Sequence, residues 1–150
     1  MTSLEINITV ECKKGSKNLY NCRERVRLER IVPVSAPFCY GFVPFTHHNG
    51  EELDSVLMCT EGFEIGASVS CRAIGGIRLE KSGLTDDVLV SVPVSDSEFG
   101  ETMQLSDISK KDLKEISDFL EKLKGMRISK TLDMEHAKKI IDHARKMYGG

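Results

Sequence analysis

A mainly β domain finished by two C-terminal helices is the fold class this sequence predicts, and three observations predict it. Period-two alternation and short apolar runs fill the first two thirds of the chain. Turn residues punctuate those runs at close spacing, and the last third switches to helical periodicity. Many short strands at such spacing favour a small barrel over a parallel α/β sheet.

Leu4, Ile6, Ile8 and Val10 alternate with polar residues and read as a half-buried strand. After a polar loop around Gly15-Ser16, Val26, Leu28, Ile31 and Val32 give a second. Apolar runs follow at Ser55–Cys59, Ser68–Ile74 and Val88–Val94, separated by Asn49-Gly50, Gly62, Gly75-Gly76 and Ser82-Gly83. Ser109 with Asp112 three residues on marks a helix start, and Leu113, Ile116, Leu120 and Leu123 form one stripe ending near Gly125. A second helix starts near Asp133 and is expected to bury Ala137, Ile140, Ile141, Ala144 and Met147 before Gly149-Gly150 stops it. Both helices are amphipathic, so each is expected to pack on the barrel. The reading is one domain over 1–150, with a barrel over about 4–100 and helices over about 109–125 and 133–148.

The 150 residues suffice for one hydrophobic core. Lys plus Arg is 21 against 23 for Asp plus Glu, a net charge of −2, whereas a nucleic-acid binder needs a basic excess. Aromatics make up 6% with no Trp, too few for base stacking. Met1-Thr2-Ser3-Leu4-Glu5 lacks a signal peptide's basic and apolar regions, and no apolar run is long enough to span a bilayer. The expectation is a soluble, cytoplasmic protein with neither nucleic acid nor membrane as partner. Cysteines 12, 22, 39, 59 and 71 are odd in number and form no C-x-x-C pair, which predicts reduced thiols and no zinc.

The segment richest in chemistry is Thr46-His47-His48-Asn49-Gly50-Glu51-Glu52-Leu53-Asp54, running into the strand Ser55-Val56-Leu57-Met58. Oxygen-bearing side chains at 49, 51 and 54 on a turn entering a rigid strand can aim at one hard cation such as Mg²⁺. By itself, Asn-Gly followed by acids also describes an exposed hairpin turn. His47 and His48, being adjacent on a strand, point to opposite faces and read as an exposed loop pair. His136 and His143 read as solvated helix residues, Lys13, Lys14 and Lys17 as a solvated loop, and Glu61 and Glu64 as surface acids.

The surroundings add to this segment. Pro37-Phe38-Cys39-Tyr40-Gly41-Phe42-Val43-Pro44 precedes it, and Glu64-Ile65-Gly66-Ala67-Ser68, Cys71-Arg72-Ala73-Ile74-Gly75, Asp86 and Val90-Ser91-Val92-Pro93-Val94 follow. In order and spacing this resembles the family I soluble inorganic pyrophosphatases. Their pattern is Tyr-Pro-x-Asn-Tyr-Gly-Phe-Ile-Pro, then Asp-Gly-Asp-Pro-x-Asp before an apolar strand, then a Gly-x-x-Ile/Val-x-x-Arg-Pro-Ile/Val-Gly strand. The resemblance runs from about Glu11 to the last helix. It implies an OB-like five-stranded barrel packed by two helices, Mg²⁺- or Mn²⁺-dependent hydrolysis of diphosphate to two phosphates, and a homo-oligomer.

Residue by residue, the resemblance places Glu11, Asn49, Asp54 and Asp86 at metal positions. It places Arg30 and Lys124 on the phosphates, Tyr40 and Asp54 in the catalytic set, and Glu51 beside the nucleophilic water. Departures accompany these matches. Asn49 replaces an Asp, and Lys81 replaces another metal-binding Asp. Leu19 and Asn21 flank Tyr20 where a lysine and an acid belong. Ala36, Val88 and Leu123 replace a tyrosine, a lysine and a tyrosine. Of the usual carboxylate positions, only Glu11, Glu51, Asp54 and Asp86 stay acidic.

A unit charge pair about 5 Å apart is worth on the order of 3 kcal/mol at an effective dielectric near 20. Exchanging an Asp for Lys81 beside a divalent ion therefore costs on the order of 10 kcal/mol gross, enough to empty that position. Asn49 is a milder loss, because an amide oxygen still coordinates. Glu51 can still act as base, with its carboxylate moved by about one ångström. The resulting reading is a weak diphosphatase with fewer ions than usual, in which Lys81 adds positive charge next to the substrate. The alternative is an inactive pyrophosphatase-fold protein that binds phosphate compounds or acts as an assembly partner. An OB-like nucleic-acid binder conflicts with the charge. A one-residue slip at the hairpin would put Glu80 rather than Lys81 toward the pocket.

Overall fold

Hydrogen-bond registers turn the period-two segments into strands in the computed structural model, which describes residues 4–149. The strands are β1 (Glu5–Cys12), β2 (Asn18–Asn21), β3 (Arg27–Ile31), β4 (Cys39–His48), β5 (Glu51–Leu57), β6 (Ser68–Lys81), β7 (Leu84–Pro93) and β8 (Arg127–Leu132). The helices are α1 (Lys110–Lys124) and α2 (Met134–Gly149), with a single 3-10 turn at Leu105–Asp107. The main sheet has the order β1-β4-β5-β7-β6-β8, and β1 also pairs with β6, so β1, β4, β5, β7 and β6 close a five-stranded barrel. All of its pairings are antiparallel except β5 with β7. The expected mainly β barrel with two C-terminal helices is what the chain forms.

Alternation along β5 and β7 divides the apolar residues between two cores. Val56, Val88, Val90 and Val92 join the core beneath α1, with Ile116, Phe119, Leu120 and Leu123 from the helix. Leu53, Leu57 and Leu89 join the other, covered by Ala137, Ile141 and Ala144 of α2. Each fully buried large side chain contributes about 1.5–3 kcal/mol, so α1 is held chiefly by its four buried residues. Its ends match the expected signals. The Ser109 side chain accepts from the Asp112 N–H at 3.0 Å, and Gly125 closes the helix in the left-handed region at φ 65°.

Several details differ from the sequence expectations. Val26, Leu28 and Ile31 are 58%, 51% and 67% exposed, because β3 pairs only with β2 in a separate two-stranded sheet. Of that expected stripe only Val32 is buried. Met147 is half-exposed, and Leu113 and Ile140 are only partly buried. β4 carries a long apolar motif and β8 a polar one, and neither shows the strict alternation that marks a strand in sequence. All five cysteines are free thiols. Gly150 lies outside the described residues.

Candidate functional site

The Asn49-Gly50 turn builds the first wall. Both residues have positive φ, 52° and 83°, the pattern of a tight two-residue hairpin turn whose twist matches its strands. That turn sets His48 opposite Glu51 and starts a register in which Phe42 faces Asp54 and Tyr40 faces Val56. Tyr40, Asp54 and Val56 therefore share one face of the sheet. In β7 the same face carries Asp86, then Val88 and Val90. Each strand is thus apolar where α1 covers it and turns acidic where the helix ends.

Gly41 makes the tight β1–β4 crossing possible, since a Cβ there would run into the Thr9 carbonyl oxygen. Its neighbour Tyr40 is buried, with its ring edge-on to Phe119 of α1 at a centroid distance of 5.9 Å. Its hydroxyl donates to Asp54 Oδ2 at 2.6 Å.

Lys124, the last residue of α1, reaches over the same carboxylate. Its ammonium lies 2.8 Å from Asp54 Oδ2 and 3.1 Å from Asp86 Oδ2. On its other oxygen, Asp86 faces His48 Nε2 at 3.6 Å and the Asn49 amide nitrogen at 3.5 Å. Asn49 also donates to the Thr85 carbonyl at 3.2 Å. His48, Asn49, Glu51, Glu52, Asp54, Asp86 and Lys124 surround a cavity of about 390 Å³.

The electrostatics follow from burial and from these partners. Burial pulls the Lys124 ammonium down, but Asp54 and Asp86 outweigh it and hold the group above its usual range. Burial pushes Asp86 up, and the His48 and Lys124 contacts more than reverse this, leaving it below the usual carboxylate range. Burial next to the Asp54 charge raises Tyr40 well above the ordinary phenol value. Glu11 is 5% exposed, and burial lifts it to about 7, only partly offset by the Cys22 N–H at 3.2 Å and by Arg23.

Asp54, Asp86, Asn49, Glu51 and Lys124 lie around one cavity, and Tyr40 reaches it through Asp54. Glu11 does not line the cavity but lies within electrostatic range of Asp54. Arg30 donates to the Leu123 carbonyl, the residue before Lys124, and so ties the exposed β2–β3 hairpin to the end of α1. Lys81 pairs with Leu84 and Leu79 with Asp86, so Lys81 and not Glu80 shares the face of Asp86. Both Glu80 and Lys81, however, border a neighbouring depression with Gly125, Met126 and Arg127, and neither lines the acidic cavity.

Sequence reasoning missed His48, which is not an exposed loop residue: its side chain is 17% exposed, its Nε2 has no hydrogen-bond partner among the described residues, and it faces Asp86. The signal was present, since an Asn-Gly turn closes the hairpin on the residues immediately flanking it. The Arg23–Glu52 pair, with Nε 2.5 and 2.7 Å from the two carboxylate oxygens, also went unnoticed because nothing in the sequence links positions 29 apart.

With this geometry in view, residues 7–149 match the model of the inorganic pyrophosphatase family. The chain belongs to that family. It is 30% identical over 156 residues to an inorganic pyrophosphatase of Haloferax volcanii, covering 96% of this chain and 88% of the relative. It is 31% identical over 150 residues to one from Geobacillus stearothermophilus, covering 93% and 91%. Among solved structures, the inorganic pyrophosphatase of Helicobacter pylori shares the fold at a TM-score of 0.91 and 24% identity, over 99% of this chain and 95% of that one. The Neisseria gonorrhoeae inorganic pyrophosphatase superposes at 0.87 with 27% identity, over 99% and 93%. The family I resemblance read from the motifs is therefore correct.

Family I members use Mg²⁺, and the donors here suit a hard ion in one specific way. Among the described residues no three His, Cys, Asp or Glu side chains converge as a ready-made metal site. Two carboxylates do converge on a single positive charge, the Lys124 ammonium, which stands in for a cation between them. Mg²⁺ is commonly held by one or two carboxylates, with waters and substrate phosphates completing its shell. Asp54 and Asp86 fit that description, with Asn49 and Glu51 as further oxygen donors on the same wall.

Proposed function

We propose that this protein hydrolyses diphosphate to two phosphates in a Mg²⁺-dependent reaction, slowly for its family and with fewer ions than its relatives use. The observation that carries the reading is the convergence of Asp54, Asp86 and Lys124, with Tyr40 on the same carboxylate, at a polar cavity of about 390 Å³. Asp54 and Asp86 would hold the ion, with Asn49, and Glu11 would support it through its electrostatic coupling to Asp54. When bound, Mg²⁺, or Mn²⁺ in its place, neutralises phosphate charge and makes water a better nucleophile. Glu51 accepts the water's proton, and Tyr40 fixes the orientation of Asp54. Lys124 and Arg30 hold the phosphates as point charge and planar fork, while Lys81 adds positive potential from the adjacent depression. The setting proposed is a cytoplasmic homo-oligomer. No helix among the described residues is long and apolar enough to cross a membrane.

The slow rate rests on Leu19, Ala36, Val88 and Leu123, which stand where the resemblance expects polar ligands. All four are buried in the core under α1 and none lines the cavity, so these positions supply no polar ligand to a phosphate. The same observation favours a second reading, a protein that binds phosphate compounds without turning them over. Phosphate release from diphosphate, with and without MgCl₂, tests both readings, with Asp54→Ala as the blank. The expected result is metal-dependent release at least about 10²-fold above the variant. Equal rates in the two proteins overturn the hydrolase reading, and tight calorimetric binding of diphosphate without turnover supports the second.

A further inference from the structure

Asp54 and Asp86 are already served by the protein's own cation, and the remaining contacts show which of those bonds can change. Asp86 uses Oδ1 toward His48 and Asn49 and offers only Oδ2 to Lys124. Asp54 Oδ2 accepts from both Lys124 and Tyr40, so Tyr40 alone keeps that carboxylate oriented if the lysine leaves. The backbone around Lys124, by contrast, is clamped. Arg30 holds the preceding carbonyl, the Gly125 N–H returns to Glu121 O at 2.9 Å, and the Glu121 carboxylate accepts from the Ile128 N–H at 2.9 Å. Only the flexible four-carbon stem of the lysine is free to move.

We infer that Lys124 is an exchangeable counter-ion: with no divalent ion bound its ammonium lies between Asp54 and Asp86, and ion entry expels it into the cavity, where it grips a phosphate. The inference rests on the proposed metal-dependent function and adds a coupling between the two ligands. A divalent ion and an ammonium cannot share the same two carboxylate oxygens, because their repulsion adds to the competition for lone pairs. Once displaced, the lysine is an unpaired cation beside a cavity that also holds the ion, and both attract a phosphate. Metal binding therefore strengthens anion binding, and linkage requires the reverse as well. The lysine holds the metal affinity down until substrate is present.

Calorimetric titration of the full chain, stripped of divalent ions with EDTA and dialysed, tests this without turnover. MgCl₂ is added to the wild type, Lys124→Met, Lys124→Gln and Lys124→Arg, with circular dichroism checking that each is folded. Removing the charge should tighten Mg²⁺ binding about 10- to 100-fold in the Met and Gln variants, while Arg stays near wild type. In a second arm inorganic phosphate is titrated with and without saturating MgCl₂. The metal should raise phosphate affinity in the wild type, and this enhancement should be several-fold smaller in the Met and Gln variants, where only the ion attracts the anion. Unchanged or weaker Mg²⁺ binding in both neutral variants overturns the inference. Tighter Mg²⁺ binding in a protein that never hydrolyses diphosphate upholds the counter-ion role and overturns only the proposed activity. Normal hydrolysis with unchanged Mg²⁺ affinity does the opposite.

Discussion

Replacing Glu11 with Gln should stabilise the ion-free protein at alkaline pH and leave it unchanged in acid. Glu11 is 5% exposed, and burial lifts its pKa from the ordinary 4.5 to about 7, making it a weaker acid. That rise corresponds to about 3 kcal/mol in favour of the neutral form over the carboxylate. Between pH 4.5 and 7 the folded chain keeps a proton that the unfolded chain has released. Stability therefore falls as the pH rises through that window and levels off above it. Gln is neutral at every pH, and its side-chain oxygen still accepts from the Cys22 N–H as Glu11 does.

The difference between Glu11→Gln and wild type isolates this group from every other titration. It should be near zero at pH 4.5 and grow to about 3 kcal/mol at pH 8, or roughly 6–12 °C in Tm for a chain of this length. Urea unfolding in EDTA across that range measures it directly. A difference that stays flat with pH, or a variant less stable than wild type at pH 8, would show that Glu11 is not held as a buried, half-protonated acid. The functional consequence is direct. A Glu11 that supports a cation must first lose its proton, so uptake of Mg²⁺ by the wild type should release protons near pH 7 and uptake by Glu11→Gln should release fewer.

Tyr40→Phe keeps the edge contact with Phe119 and loses only the hydroxyl bond to Asp54, so unfolding in urea should show a loss of about 1.5–3 kcal/mol. Gly50→Ala places a Cβ in open space at φ 83°, so its cost is purely conformational, about 1–2 kcal/mol by thermal unfolding, with hydrolysis reduced because the turn sets Asn49 and Glu51. Gly41→Ala meets the Thr9 carbonyl instead, and its loss should exceed about 3 kcal/mol, seen as a sharp fall in soluble yield.

Local rules carried most of the fold. The alternation at 4–10 and the Ser109–Asp112 cap each depend on residues a few positions apart, and each is found as expected. Val26, Leu28 and Ile31 were misplaced because alternation reports a two-faced strand but not which core lies beneath it. The β2–β3 sheet has no such core under these residues. At the site, the resemblance to the pyrophosphatase family implied a common role for Asp54, Asp86 and Lys124 on three separate elements, which periodicity alone never does. What spacing could not supply was the charge balance. Lys81 stands out in the sequence as the cation replacing a metal ligand, yet although it shares the face of Asp86 it borders the next depression, and the cation that meets both acids is Lys124.

That exchange alters how the substitutions act on the pocket. A lysine among the acids would neutralise it permanently, because a strand side chain at a tight hairpin has little room to withdraw. A lysine at a helix end is different. The dipole of α1 favours a cation there, the backbone clamps fix its root, and the stem can swing. The pocket then needs fewer carboxylates, since its resident charge leaves when a stronger one arrives. Leu19, Ala36, Val88 and Leu123 lie in the apolar core under α1, which offers the departing ammonium nothing polar, so it moves into the cavity walled by Glu51, Glu52 and Asn49. A phosphate entering that cavity meets carboxylates on the wall, so its binding gains from both the ion and the displaced lysine.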